Sequence, residues 1–482
     1  MSWRPLLLGA IAFGILARAV GMYAIPLVDP SEGRYAASAS EILRTGDWLV
    51  PPVFVKGEPV PYLGKPPLEL WLSATAMRLG GVHPFWSRVP CFLALLLMLG
   101  FMYKVLRRYE GEEFALMATG LCAATPGFLI FAGIGMPDTM LTACVAACYC
   151  AYYAFLQEPD HALKKRWSLL VFVFAGLGFM SKGPVALIFI GLPALAWTIH
   201  WRRWDTLKQH AWLLGIPLFL LITVPWFVLC ERANPGFIQY FFINENLLRF
   251  IQPEFGDKYG QGHQQYFGAA LAFAIALSLP WSLWGIVLAA SKKTRPAARE
   301  LWKSPALSFF LYIVATNVLF WCFCRNYLPT YLLPVIPALS IVLAALFRAT
   351  SQSWMRVSQI AAASVAVVSI ASIVVVTLIS DFSSLTVGKM ALAEAARVGA
   401  PPKICWIRKI PNSAFFYFRD ELVVPPHAEE LEIALPWFLA NSQYTLVSQA
   451  KHLRGLPQEF QDRIEILAND GRWVIFRIKA PA

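Results

Sequence analysis

Apolar residues in this chain gather into long runs, broken by short polar or basic clusters. The first run, MSWRPLLLGAIAFGILARAVGMYAIPLV, is about 20 residues long, enough to cross a hydrocarbon core. A cleaved signal has a shorter apolar region and a small-residue cleavage site, so this segment is read as a retained first helix. Taken against turn and charge signals, the runs predict about eleven membrane helices. They lie near 4–25, 86–106, 112–132, 138–156, 166–181, 184–200, 211–230, 266–290, 304–324, 329–347 and 355–379.

The connecting segments alternate in character. KVLRR from Lys104, KKR from Lys164, WRRWDTLK from Trp201, KKTRPAARELWK from Lys292, and Arg348 with Arg356 make one short, basic set. Short basic loops stay in the cytoplasm. Two long loops, 26–85 and 231–265, and everything after 380 therefore fall on the outer side. An odd number of spans agrees with termini on opposite sides. ASASEILRTGDW, PPLELWLSATAMRLGG and GFIQYFFINENLLRFIQPEF, all in the long loops, have helical spacing. They read as helices lying at the membrane surface. Beyond 380 the pattern changes: KICWIR, YTLVSQA, RIEILA and RWVIFRI read as strands, and AEELEIALPWFLAN as a helix. The expected organisation is a transmembrane domain over 1–380 and a small α/β domain over 381–482.

Composition strengthens the membrane reading. Of 482 residues, 58% are hydrophobic and only 15% charged, where soluble domains carry about 25% charged residues. Mean hydropathy is +0.55. The net charge of +12 follows the cytoplasmic loops, so it marks topology and not a nucleic-acid surface. Eight of the nine cysteines sit in or beside apolar runs, where cysteine acts as a small hydrophobe. No disulfide framework and no zinc spacing is expected.

Ionisable groups at membrane depth are functional candidates by default. VDPSEGRYA supplies Asp29, Glu32 and Arg34 at the end of the first helix, followed by Tyr35. PYLGKPP carries Tyr62 and Lys65, GMPDTML carries Asp138, and FMSKGPVAL carries Lys182. NENLLRF carries Glu245 and Arg249; Arg325 precedes LPTYLLP, which holds Tyr331. By the topology above all of these lie at the outer interface. Each also has an ordinary reading. Asp138 can cap its helix, Lys182 can snorkel, Glu245 and Arg249 can form an i,i+4 pair, and Tyr331 can be an interfacial aromatic. Taken together, Lys and Arg beside carboxylates suit a phosphate headgroup. The cations would stabilise charge on a phosphate leaving group, and a carboxylate would deprotonate an acceptor hydroxyl. A sugar carried on a lipid phosphate meets these needs.

The ordered series DPSEGRYA, TGDW, YLGKPPLELWL, RVP, PDTML, SKGP, FIQYFFINENLLRF, SLPW and LPTYLLP resembles the GT-C membrane glycosyltransferases over about residues 5 to 350. It looks closest to the bacterial lipid A aminoarabinose transferases and is distantly similar to the protein O-mannosyltransferases. The resemblance implies a mainly α, polytopic GT-C fold in the inner membrane with a periplasmic active site. It implies inverting transfer from a polyprenyl-phosphate sugar to a lipid or glycan acceptor such as lipid A. It carries Asp29, Glu32 and Asp138 over as the acidic centre, and Arg34, Tyr35, Tyr62, Lys65, Lys182, Glu245, Arg249 and Tyr331 as substrate-binding residues; Arg325 joins these from its position alone, as a further cation for the donor phosphate. Three positions depart from the aminoarabinose enzymes. Ser31 and Gly64 stand where those have acids, and Asn246 where they have His. Gly and Asn are poor metal ligands, so a divalent metal is disfavoured at this spot and no other cofactor is implied. Three rival readings stay open: a protein O-glycosyltransferase, a transporter or flippase of lipid-linked sugars, and a catalytically dead relative acting in assembly. Against the transporter, the chain shows no inverted repeat and no matched pair of broken helices.

Overall fold

Every one of the eleven predicted apolar segments contains helix. The structure is a computed structural model and describes residues 2–252, 256–261, 263–380, 383–408, 410–426, 431–453 and 458–479. Among these, Trp3–Ala24, Pro84–Glu110, Pro137–Gln157, Trp212–Ala233, Pro305–Phe323 and Trp354–Val375 are each long and apolar enough to cross a bilayer. Ala269–Leu277 and Trp281–Ala290 form a seventh such stretch, bent by 109° at its break. The protein is therefore an integral membrane protein. Proline sets the breaks. The predicted 112–132 helix splits into Glu112–Ala123 and Pro126–Phe131 at Thr125-Pro126, and the 266–290 helix breaks at Leu279-Pro280. The segment near 329–347 starts as a 3₁₀ turn, Pro329–Leu332, before the helix Val335–Ala349.

The described chain divides into two compact units. The first comprises residues 1–22, 63–72 and 88–372. Its centre is the Pro137–Gln157 helix, whose apolar window is 94% buried, against 17% for Trp3–Ala24 and 22% for Trp354–Val375. Ala143, Ala146, Ala147, Cys148, Ala151 and Ala154 are all buried on it. Small side chains let neighbouring helices approach closely in a membrane. It packs against His161–Lys182, Val185–Trp201, Pro305–Phe323 and Val335–Ala349.

One polar junction ties three of these helices. Pro193 lies inside Val185–Trp201 and has no N–H, so the carbonyl of Phe189 loses its intrahelical donor. Asn317, fully buried, donates to that carbonyl at 3.2 Å and to Ile313 O at 2.9 Å; Tyr149 Oη donates to Phe189 O at 3.1 Å. A backbone group freed by proline inside a bilayer must find another partner.

The second unit comprises residues 23–62, 73–87 and 373–482. It holds a four-stranded sheet ordered Ile404–Trp406, Thr445–Gln449, Trp473–Ile478, Ile464–Asn469, with the first pair parallel and the others antiparallel. These are the four predicted strands. The predicted helix AEELEIALPWFLAN forms over Leu431–Ala440, while 427–430 lie outside the described residues. The unit also contains the helix Ser31–Thr45 and a hairpin, Pro52–Val55 with Glu58–Pro61, which the sequence reading did not foresee. Helix and sheet portions share a core: Phe54 stacks on Phe415 at 3.9 Å, and buried Glu41 pairs with Arg419 at 2.8 Å and with Arg44 at 2.7 Å.

Asn317→Ala is expected to lower thermal stability by about 0.6–1.7 kcal/mol, the range of interhelical hydrogen bonds in membranes. In a Pro193→Ala background the loss should be smaller, because residue 193 then supplies the N–H that Phe189 O lacks. A double-mutant cycle on detergent-solubilised protein measures this; strictly additive losses would contradict the proline-compensation account.

Candidate functional site

In the first unit, six of the residues singled out from sequence come together. Asp138 is the second residue of Pro137–Gln157, yet it does not cap that helix; the N-cap is Met136, and no side-chain cap bond forms. Its Oδ1 instead accepts from Lys182 Nζ. Lys182 does not snorkel. It is 4% exposed, and its ammonium stands 3.1 Å from the centroid of the Tyr331 ring, a cation–π contact. Glu245 and Arg249 form the anticipated i,i+4 pair, but Lys65, 180 residues earlier, shares the same oxygen. Glu245 Oε1 accepts from Lys65 Nζ and Arg249 Nη1, while Oε2 is buried without a hydrogen-bond partner among the described residues. The two pairs are one cluster: Lys182 and Tyr331 both lie within electrostatic reach of Glu245 and Arg249. Asp138, Lys182 and Glu245 are 6%, 4% and 2% exposed. Charges this buried persist only when paired.

Local structure explains the convergence. Lys182 ends His161–Lys182, and Gly183 follows with φ +74°. A Cβ there would lie 2.6 Å from the Phe241 ring, so only glycine lets the Lys182 turn meet the segment that carries Phe241. Tyr240–Leu248 is π-helical, and Asn246 Nδ2 donates to Phe241 O at 2.8 Å. Such wide turns recur at functional sites. Past Arg249, Asn326 Nδ2 donates to Arg249 O at 2.9 Å and Gln252 O at 2.6 Å, and Arg325 N to Phe250 O at 3.1 Å. These bonds satisfy carbonyls that a helix end leaves open. Arg325 thus contributes its backbone to the cluster's frame, and its side chain is exposed. The Lys65 segment is held by Leu63 N, which donates to Tyr259 Oη at 2.7 Å. Tyr259 and Asn326 were absent from the sequence candidates; neutral side chains that grip a backbone leave no charge signal.

Asp29, Glu32, Arg34, Tyr35 and Tyr62 belong to the second unit. Asp29 sits at an exposed turn, but both of its carboxylate oxygens face Ser413: the Ser413 N–H donates to Oδ1 at 2.9 Å and its hydroxyl donates to Oδ2. Asn412 Nδ2 donates to Pro30 O at 2.9 Å, and Leu27 N donates to Tyr417 Oη at 2.7 Å. The short helix Asn412–Tyr417 therefore fastens the whole turn. Glu32 is 2% exposed, and its Oε2 accepts from Val28 N at 2.9 Å. Tyr35 and Tyr62 meet hydroxyl to hydroxyl at 3.3 Å, and Arg34 is half-buried.

The donors around Lys65 and Glu245 do not fit a divalent metal. Lys65 and Arg249 both donate to Glu245 Oε1, and their positive charges would repel a divalent cation at that carboxylate. Among the described residues no three His, Cys, Asp or Glu converge as a ligand set.

Withdrawal from water raises the Asp29 pKa above the ordinary 3.8; the Ser413 donors pull it down, and nearby Glu32 raises it further. With a folded value above the unfolded one, the contribution of Asp29 is most favourable below about pH 4 and is lost as pH rises through the raised value. Ser413 limits that loss by donating to the ionised form. Ser413→Ala is expected to destabilise by about 1–3 kcal/mol near neutral pH and by less as pH falls toward about 4. Thermal midpoints across that window check it; a deficit independent of pH would detach Ser413 from the Asp29 charge.

Residues 64–228 match the family model described as dolichyl-phosphate-mannose-protein mannosyltransferase. The chain is 29% identical over 335 residues to an undecaprenyl phosphate-alpha-4-amino-4-deoxy-L-arabinose arabinosyl transferase of Erwinia tasmaniensis, covering 67% of this chain and 56% of that protein. A protein of the same name from Enterobacter sp. is 29% identical over 332 residues, covering 67% and 57%. The chain thus matches a little over half the length of these relatives. In three dimensions it superposes on ArnT from Cupriavidus metallidurans bound to undecaprenyl phosphate with a TM-score of 0.77 at 20% identity, covering 98% of this chain and 99% of that one. It superposes on the Archaeoglobus fulgidus oligosaccharyltransferase with a TM-score of 0.53 at 12% identity, over 93% and 70%. The chain thus has the GT-C fold of these structures, and its sequence is similar to that of the aminoarabinose transferases.

Proposed function

We propose that the protein is an inner-membrane glycosyltransferase. It moves a sugar from a polyprenyl-phosphate donor of the undecaprenyl-phosphate type onto a lipid or glycan acceptor such as lipid A, at the periplasmic face. The observation that carries this reading is the buried cluster of Lys65, Asp138, Lys182, Glu245 and Arg249. Three cations face two carboxylates, leaving one formal positive charge for a donor phosphate to neutralise. The names of the relatives, and the undecaprenyl phosphate bound to the Cupriavidus protein, agree with that ligand. The basic loops at 104–108, 164–166, 201–208 and 292–303 support an orientation with the cluster on the outer side.

In this mechanism Lys65 and Arg249 leave their shared oxygen of Glu245 and hold the donor phosphate, Arg249 through its planar fork. Glu245 is the counter-charge that keeps them in place between turnovers. Asp138, fixed by Lys182, accepts the proton of the acceptor hydroxyl as that oxygen attacks the anomeric carbon. The carbon–oxygen bond to phosphate breaks on the opposite face, so configuration inverts, and Lys65 and Arg249 receive the departing charge. Tyr331 keeps the Lys182 ammonium in place. Glu32 is the second acidic candidate. Asp29 secures the turn that presents Glu32, which divides between the two the role that the sequence left shared.

The decisive experiment is mass spectrometry of polyprenyl-phosphate sugars and envelope glycans in cells lacking the protein. An accumulated donor with a missing envelope sugar is expected; purified protein that moved lipid-linked sugar across vesicles without transferring it would favour the flippase reading instead. Asp138→Asn and Glu32→Gln are each expected to reduce turnover by about 10²–10⁴-fold, the scale of general acid–base catalysis, with the protein still folded; Asp138→Asn also lowers the melting temperature, because it leaves the buried Lys182 without its charge partner. Lys65→Ala and Arg249→Ala should weaken donor binding by about 1.5–3 kcal/mol, seen as a raised KM for donor. Full turnover in both carboxylate variants would remove these residues from the mechanism.

A further inference from the structure

The first unit contains a large apolar groove away from the charged cluster. It holds about 550 Å³ and is lined by Ala274 and Ile275 on Ala269–Leu277, Gly285 on Trp281–Ala290, Leu301 on Arg295–Lys303, and Ala315 on Pro305–Phe323, with further residues of Val335–Ala349. That volume lies within the roughly 300–1,000 Å³ of ligand sites. Both arms of the 109° bend between Ala269–Leu277 and Trp281–Ala290 line it. Its few polar atoms make no demand on a ligand: the hydroxyls of Ser278 and Ser282 donate to the carbonyls of Ala274 and Ile275. Water has no partners in such a space, and the helices around it stand in a bilayer, so a hydrocarbon chain is the occupant available.

One end of the groove carries the charge that selects the lipid. Leu301 and Ala298 of Arg295–Lys303 face the groove. Lys292 and Lys293 follow the groove-lining Ala289 by three and four residues, and Arg295 and Arg299 flank Ala298. All four cations are exposed, and none has an acidic partner among the described residues, whereas Lys303 is paired with Glu300 at 2.6 Å. Basic pockets between membrane helices on the cytoplasmic side bind anionic headgroups. We infer that this groove is a site for an anionic phospholipid, with one acyl chain between the bent helix pair and Pro305–Phe323 and the headgroup phosphate on Lys292, Lys293, Arg295 and Arg299. Such a lipid would fill the space that the two arms line and brace Pro305–Phe323.

Lipid retention tests this without any turnover, so it is decided separately from the sugar-transfer reading. The full chain is reconstituted in vesicles of equal phosphatidylglycerol and phosphatidylcholine with matched oleoyl chains, extracted in mild detergent, and examined by native mass spectrometry. The expected result is retained phosphatidylglycerol in several-fold excess over phosphatidylcholine. Arg295→Gln with Arg299→Gln, both exposed, should bring the two lipids to parity. Ala315→Phe, which fills the groove, should reduce retention of both. Equal retention of the two lipids by the parent protein overturns the inference. So does retention unchanged in both variants, and so does displacement of the retained phospholipid by added undecaprenyl phosphate, which would make the groove a prenyl-chain site.

Discussion

One carboxylate oxygen, Glu245 Oε1, fixes the relation between two distant segments of the first unit. It accepts from Lys65, delivered by the first loop, and from Arg249, one turn further along its own helix. Neither cation would be stable alone when this buried. The shared oxygen therefore does two things at once: it neutralises buried charge and it sets the positions of two chain segments 180 residues apart. The surrounding features follow from that requirement. Tyr259 secures the strand of chain before Lys65, Asn326 and the Arg325 backbone close the helix after Arg249, and Gly183 allows the Lys182 turn to come within contact of Phe241.

The same constraint explains why the cluster suits a transient anion. A buried carboxylate bridging two cations is stable while the pocket is otherwise empty, yet it uses only one of its oxygens, leaving Oε2 without a partner among the described residues. A phosphate has more acceptor atoms than Glu245 Oε1 offers and matches the guanidinium fork. Exchange of partners on Lys65 and Arg249, from Glu245 to a phosphate, would add negative charge to a cluster with one formal positive charge, so neither cation would be left unpaired. The Asp138–Lys182 pair is not disturbed by that exchange, and the Tyr331 ring covers the Lys182 ammonium on the remaining side.

Much of this was legible in the sequence because buried charge in an apolar chain is conspicuous. Asp138, Lys182, Glu245 and Arg249 stand out against runs of Leu, Ala and Phe, and the helices and the four C-terminal strands follow from periodicity. What sequence could not supply was the pairing. The i,i+4 spacing of Glu245 and Arg249 is visible, but that Lys65 joins them depends on tertiary approach. The hairpin Pro52–Val55 with Glu58–Pro61 was missed although its signal was present: Lys56-Gly57, at φ +52° and +92°, has the conformation of a two-residue hairpin turn. The π-helical stretch Tyr240–Leu248 and the helix breaks at Thr125 and Leu279 are local departures that hydrophobic pattern averages over.

The acidic turn at the end of the first helix holds its two acids in different ways. Four contacts converge on residues 27–32: Tyr417 on Leu27 N, Ser413 twice on Asp29, and Asn412 on Pro30 O. An acid gripped by both the amide and the hydroxyl of one residue has little freedom to move toward a substrate. Glu32 accepts from Val28 N within the same turn, so its geometry depends on the turn being held. That dependence makes the two acids of one motif unequal: Asp29 determines where the turn lies, and Glu32 inherits its position. Ser31, placed between them on the half-buried first residue of its helix, needs no charge for either task, which is a physical reason why this chain can carry serine there.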